Sequence, residues 1–212
     1  MLTFNPQTHE YFWDNIKIPS VTGILGEFVK VERGEYSYFV STFNGNAINA
    51  DLFDVAADHG TAVHQAARII LSGQELDWEA LHVDLVATLK QFVAWADATA
   101  CPGPGIVEQP MYSPKLNVAG TPDLIMRGEK VTQIYDFKTG AYDLAGPQLA
   151  AYEAIYRDYA NIRINHRIER YVIHLPKDGS RYKVIPMKDA TDIHFFKSRL
   201  YQWQWLSNRR GK

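Results

Sequence analysis

The sequence predicts one mixed α/β domain over residues 1–212, with a central mixed β-sheet flanked by helices. Three observations carry that expectation. Helix-period and strand-period stretches follow one another as helices, a strand meander, a helix, more strands and a last helix. No repeat, low-complexity tract or linker divides the chain. Its 212 residues, 46% hydrophobic and 22% charged, suit one packed core, since domains usually run ~50–250 residues.

Residues 2–4 and 10–13 read as short strands around a turn, with a third strand at 16–18. Ser20 is a good N-cap for a helix with Val21, Ile24, Leu25 and Phe28 at helical spacing. Residues 30–48, rich in Tyr and Phe and broken by Gly34 and Gly45, fit no single pattern. Helical spacing returns over 49–71, where Gly60 predicts a kink or a break between two helices, and Gly73 is a candidate C-cap. A further helix is expected over 79–100, followed by Pro/Gly punctuation at 101–105. Strands follow at 106–112, 117–126 and 131–137, the last two joined by a hairpin turn at 127–130. Pro147 sits in the first turn of a helix over 147–159. Strands at 167–175 and 182–186 flank a turn at 176–179, and a final helix covers 190–206.

Composition excludes several classes. No stretch approaches the ~18 apolar residues of a membrane span, so no membrane partner is expected. Residues 1–6 have neither the basic start nor the apolar run of a secretory signal, and a cytoplasmic location (bacterial or phage-infected host cell) is expected. Cys101 is the only cysteine, which excludes an internal disulfide, a cysteine zinc site and an iron–sulfur cluster. There is no ATP-binding P-loop, so no nucleotide cofactor is expected. The net charge of −2 divides unevenly: residues 1–160 carry −10 and residues 161–212 carry +8. An acidic part able to hold metal beside a basic part able to meet phosphates fits this asymmetry, as does chance segregation of surface charge.

The chemistry lies in the central hairpin. With its turn centred on Gly128 and Glu129, Asp123 lies near Ile134, and strand alternation places Asp136 and Lys138 on that same face. Two carboxylates and a lysine within otherwise apolar strands need a compensating ion or mutual pairing. A divalent cation held by oxygen ligands would polarise a phosphodiester and lower the pKa of a bound water. The lysine would position that water and stabilise charge on the phosphate. A structural Asp–Lys pair at a sheet edge is the alternative for Asp-x-Lys taken alone.

The surrounding motifs shift the balance. Gly120-Thr121-Pro122-Asp123, Asp136-Phe137-Lys138 and Gln148-Leu149-Ala150-Ala151-Tyr152 occur in that order, after Gly60-Thr61-Ala62-Val63-His64. Together they resemble the PD-(D/E)XK nuclease superfamily, specifically its RecB-like exonuclease branch and the stand-alone phage-type members. The opening Ile18-Pro19-Ser20-Val21-Thr22-Gly23 is also similar to the start of phage and mitochondrial members. The resemblance is patchy over 10–65 and close over 106–156.

That resemblance implies a restriction-endonuclease-like core over about 50–190 and a metal-dependent DNA exonuclease acting in recombination, repair or phage DNA processing. Asp123, Asp136, the Phe137 carbonyl and His64 would bind Mg²⁺ or Mn²⁺, as one or two ions, and Lys138 would be the catalytic lysine. Gln148 and Tyr152, at i and i+4 on one helix face, would contact DNA and organise the catalytic groups. Glu108 stands where relatives often carry an acid, and reads equally as an exposed edge-strand glutamate. Thr139 and Gly140 are placed to approach a phosphate through backbone amides.

The partner implied is DNA with an end, single- or double-stranded, with a recombination or single-strand-binding protein and a homo-oligomer as further options. Arg163, Arg167, Arg170, Lys177, Arg181 and Lys183 surround one expected hairpin and are candidates for phosphate contacts. Lys197, Arg199, Arg209, Arg210 and Lys212 follow on the last helix, and Tyr36, Tyr38 or Phe43 are candidates for stacking on bases. Two rival readings stand beside the exonuclease: a catalytically silent nuclease fold that binds DNA or a recombination partner, and a restriction-type endonuclease.

Overall fold

A computed structural model describes residues 1–5, 8–32, 47–79, 81–99 and 105–210. The side chains of 27–32, 47–58 and 210 lie outside that description, as do Tyr36, Tyr38, Phe43, Cys101 and Lys212. In order, the elements are β1 (Leu2–Asn5), β2 (Glu10–Trp13), β3 (Ile16–Ile18), α1 (Val21–Glu32), α2 (Ala47–Leu71) and α3 (Val83–Thr99). Then come β4 (Ile106–Val107), β5 (Met111–Ser113), β6 (Val118–Gly120), β7 (Leu124–Arg127), β8 (Val131–Lys138), α4 (Ala145–Tyr159), β9 (Arg167–His174), β10 (Lys183–Pro186) and α5 (Asp192–Arg210).

The central sheet has the order β10-β9-β8-β7-β4. It is mixed: β8 and β9 run parallel through the α4 crossover, and the other neighbours are antiparallel. Helices cover both faces. On one, α1, α4 and α5 pack Ile24, Leu149, Ile155 and Phe196 against Ile125, Ile134 and Val172. On the other, α2 and α3 pack Val63, Leu89, Phe92 and Trp95 against Leu124, Tyr135, Phe137 and Ile173. Alternation along β8 explains the division, since Ile134 and Asp136 point one way and Tyr135 and Phe137 the other. The β1–β3 meander forms a separate antiparallel sheet.

Several local expectations are met. The Ser20 hydroxyl accepts from Gly23 N at 3.0 Å and caps α1. Gly73, at φ 70°, turns the chain off α2, with Gln74 N donating to Ile69 O at 3.1 Å. Other expectations are corrected. Gly60 produces no break, and α2 runs through it as one helix to Leu71. The strands expected at 106–112 and 117–126 are each divided between two sheets. β4 pairs with β7, while β5 pairs with β6. Pro122 has no N–H for a ladder and Glu108 adopts φ 43°, so both strands bend at the same level. Glu108 N then donates to Asp123 O at 3.1 Å, which ties the two bends together.

Candidate active site

That double bend carries Asp123 to the end of β7, beside the last residues of β8. Leu124 pairs with Tyr135 and Ile125 with Ile134, so Asp123 falls opposite Asp136 rather than near Ile134. The turn is centred one residue later than expected, with Gly128 N donating to Val131 O at 2.9 Å. A two-residue change of pairing keeps every side chain on its face. Asp123 and Asp136 are both buried, at 9% and 1% exposure.

Each carboxylate has its own partners. Asp123 Oδ2 accepts the Phe137 N–H at 2.6 Å, and Asp123 Oδ1 lies 3.2 Å from His64 Nδ1. Asp136 Oδ2 lies 2.8 Å from Lys138 Nζ, and Asp136 Oδ1 accepts from Gln148 Nε2 at 3.0 Å. Gln148 is the hub: its Oε1 accepts from Lys138 at 3.3 Å, and its Nε2 also meets the Tyr152 hydroxyl at 3.1 Å. The sequence-predicted residues His64, Asp123, Asp136, Phe137, Lys138, Gln148 and Tyr152 therefore meet at one end of the sheet.

The electrostatics follow from burial and pairing. Asp123 lifts the His64 imidazole to about 9, against the opposing effect of burial. Burial pushes the Asp136 carboxyl up to about 6, with Asp123 adding to it and Lys138 opposing. Burial also disfavours charge on Asp123, but His64, Lys138 and the Phe137 N–H outweigh it and lower its pKa. Lys138 is held above its ordinary value because Asp136 and Asp123 overcome its burial. Burial raises Tyr152 well above the usual phenol value, with both aspartates adding to the shift. Tyr152 is thus a neutral donor or acceptor at working pH.

Among the described residues, no three His, Cys, Asp or Glu side chains are grouped closely enough to hold an ion as they stand. The carboxylates are instead engaged by His64, Lys138 and Gln148. Asp136 Oδ2 is buried, and what faces it is the Lys138 ammonium at 2.8 Å. A buried carboxylate oxygen faced by an ammonium, beside a second carboxylate and an imidazole, is a donor set that Mg²⁺ or Mn²⁺ fits.

Two residues around the site, Arg68 and His174, were not singled out from sequence, and Gly120 entered only as a motif position. Gly120 meets Tyr152, and a Cβ there would lie 2.6 Å from Cε1 of the ring. Arg68 Nη1 stands 3.8 Å from Glu108 Oε2. Burial and then Asp123 raise the Glu108 carboxyl. His174 is registered beside Lys138 on β9. Arg68 and His174 lie in no motif: Arg68 reaches Glu108 from α2, and His174 is brought beside Lys138 by strand pairing.

The basic residues do not form one group. Arg170 is only 11% exposed at its side chain and is held by Glu153 at 3.6 Å and Asp192 at 3.5 Å. It also donates to Asp189 O at 3.0 Å, so it is a strut between α4, β9 and α5 rather than a phosphate contact. Arg167 pairs with Glu169 at 2.6 Å. Arg167 begins β9, ~23 Å of extended strand from His174, and Arg163 precedes it in the turn before the strand. Lys177, Arg181 and Lys183 lie around the β9–β10 turn, at the same end of the sheet as Lys138.

Compared with known proteins, the chain matches no family model and no curated protein.

Proposed function

We propose that this chain is a metal-dependent deoxyribonuclease that hydrolyses phosphodiester bonds from DNA ends. The observation that carries the reading is the apposition of Asp123 and Asp136 across β7 and β8, with Lys138 and Gln148 closing one side and His64 the other. Paired buried carboxylates are costly in a sheet unless positive charge compensates them; Lys138 and His64 supply part of it, and a bound cation would add to it.

Asp123 and Asp136 would hold the ion, with the Phe137 carbonyl and His64 as further donors. When bound, Mg²⁺ or Mn²⁺ supplies positive charge that stabilises the phosphate in the transition state and acidifies the attacking water. Lys138 donates to a phosphate oxygen and keeps the attacking water in line. Gln148 fixes the Lys138 ammonium and the Asp136 carboxylate relative to each other. Tyr152 anchors Gln148 from the helix. Water adds to phosphorus as the P–O bond to the leaving nucleotide oxygen breaks.

The test is release of nucleotides from end-labelled linear DNA with Mg²⁺, Mn²⁺ or chelator, beside Lys138→Ala. Metal-dependent release that disappears in the variant supports the reading. Full activity in Lys138→Ala and Asp136→Ala would refute it. Closed circular DNA separates an exonuclease from a restriction-type endonuclease, since only the former needs an end.

One observation favours a second reading, a nuclease-like fold that binds DNA without cutting it. His64 and Lys138 already neutralise the two aspartates in the absence of an ion. DNA binding by the wild-type chain with no cleavage in either metal would select that reading.

A further inference from the structure

Beyond the reaction centre, the sheet end presents an ordered row. Lys138 is registered with His174 in the parallel β8–β9 pair, and His174 with Lys183 in the antiparallel β9–β10 pair. Registered partners project from the same face, so the three side chains stand in line on the α4 side of the sheet. At ~4.8 Å between strands the row covers ~10 Å, about three nucleotides at a rise of ~3.4 Å each. Neither outer member has another use. Among the described residues neither the His174 nor the Lys183 side chain makes a hydrogen bond or ion pair, His174 is half-buried, and Lys183 is exposed on the edge strand. Tyr142 packs its ring 5.3 Å from that of His174 and holds the imidazole in place.

We propose that His174 and Lys183 continue from Lys138 as a phosphodiester track, along which the DNA strand leaves the reaction centre across β9 toward the β10 edge. The alternative exit is a groove of about 370 Å³ between the start of α4 and the β10–α5 connection. Asp143, Asp189 and Asp192 line it against a single Lys188, which turns a polyanion away. The strand is therefore directed along the row and not into the groove.

The inference rests on the nuclease reading, and the experiment separates their failures. Binding of a labelled single-stranded oligonucleotide is measured with Ca²⁺ over a salt series, beside cleavage with Mg²⁺. Lys183→Ala is expected to weaken binding roughly 3- to 10-fold at low salt and to reduce the salt slope by about 0.7. It should raise KM with kcat kept, as loss of uniform binding does. His174→Ala should weaken binding as well, and His174→Gln, which keeps a donor, should restore part of it. Lys130→Ala, at the opposite end of the sheet, should leave affinity and slope unchanged. If wild type cuts DNA and Lys183→Ala and His174→Ala both keep its affinity and slope, the track is wrong and the nuclease reading stands. If wild type neither binds nor cuts DNA, both fall together.

Discussion

Gln148 offers the sharpest test of the site, because one side chain joins Asp136, Lys138 and Tyr152. Among the described residues, Gln148→Ala removes the hydrogen-bond donor to Asp136 Oδ1 and leaves the carboxylate with its Lys138 ion pair. A hydrogen bond to a charged group contributes ~1.5–3 kcal/mol, so the metal-free protein should lose about 2–3 kcal/mol. In an Asp136→Asn background the partner is neutral and the same truncation should cost only ~1 kcal/mol. The double-mutant cycle should therefore show about 1–2 kcal/mol of coupling, measured by urea unfolding in chelator. Single-turnover cleavage should fall about 100-fold in Gln148→Ala, since Lys138 loses the contact that fixes its ammonium. Coupling below ~0.5 kcal/mol, the range of independent sites, would refute the hub.

Gly120→Ala drives a methyl to 2.6 Å from the Tyr152 ring, with Val21 closing the other side at 3.2 Å, and overpacking of this kind costs ~1–3 kcal/mol. A melting temperature equal to wild type would show that Tyr152 is not confined there. In chelator, His64 should titrate near 9 by histidine NMR and fall toward its ordinary 6.5 or below in Asp123→Asn; a wild-type value near 6.5 would dissolve the ion pair. Because that folded value lies above 6.5, the His64 contribution to stability is complete below about 6.5 and is lost as pH rises through about 9. Phe137→Ala, whose ring lies 5.1 Å from Phe92 and 5.4 Å from Trp95, should cost about 3–5 kcal/mol, read by denaturant midpoint. A loss under ~1 kcal/mol would mean the core collapses around the gap.

Much of the fold was legible because periodicity reports burial. Val21, Ile24 and Leu25, at helical spacing in α1, and the alternating residues of β8 are those that face the core. What was not legible were features decided across space. Gly60 suggested a break by propensity, yet its Cβ position lies 3.7 Å from Thr139 Oγ1, and α2 continues through it against the chain just after Lys138. The stretches 106–112 and 117–126 read as single strands. Only the pairing shows that each changes sheet at Glu108 and Pro122.

The site was legible for a narrower reason. Asp123 was expected near Ile134 and instead falls opposite Asp136, a change of two residues, and strand parity makes such a change harmless to the face assignment. A change of one would have sent Asp136 and Lys138 to the side packed by Phe92 and Trp95. The partners of each carboxylate were a different matter. Nothing in Asp-x-Lys spacing tells whether Gln148 bridges to the lysine, the aspartate or both; that depends on how closely α4 approaches β8. Gly120 permits that approach by leaving room for the Tyr152 ring. The same dependence on pairing hid His174, which is 36 residues from Lys138 in sequence and its direct neighbour across the parallel strands.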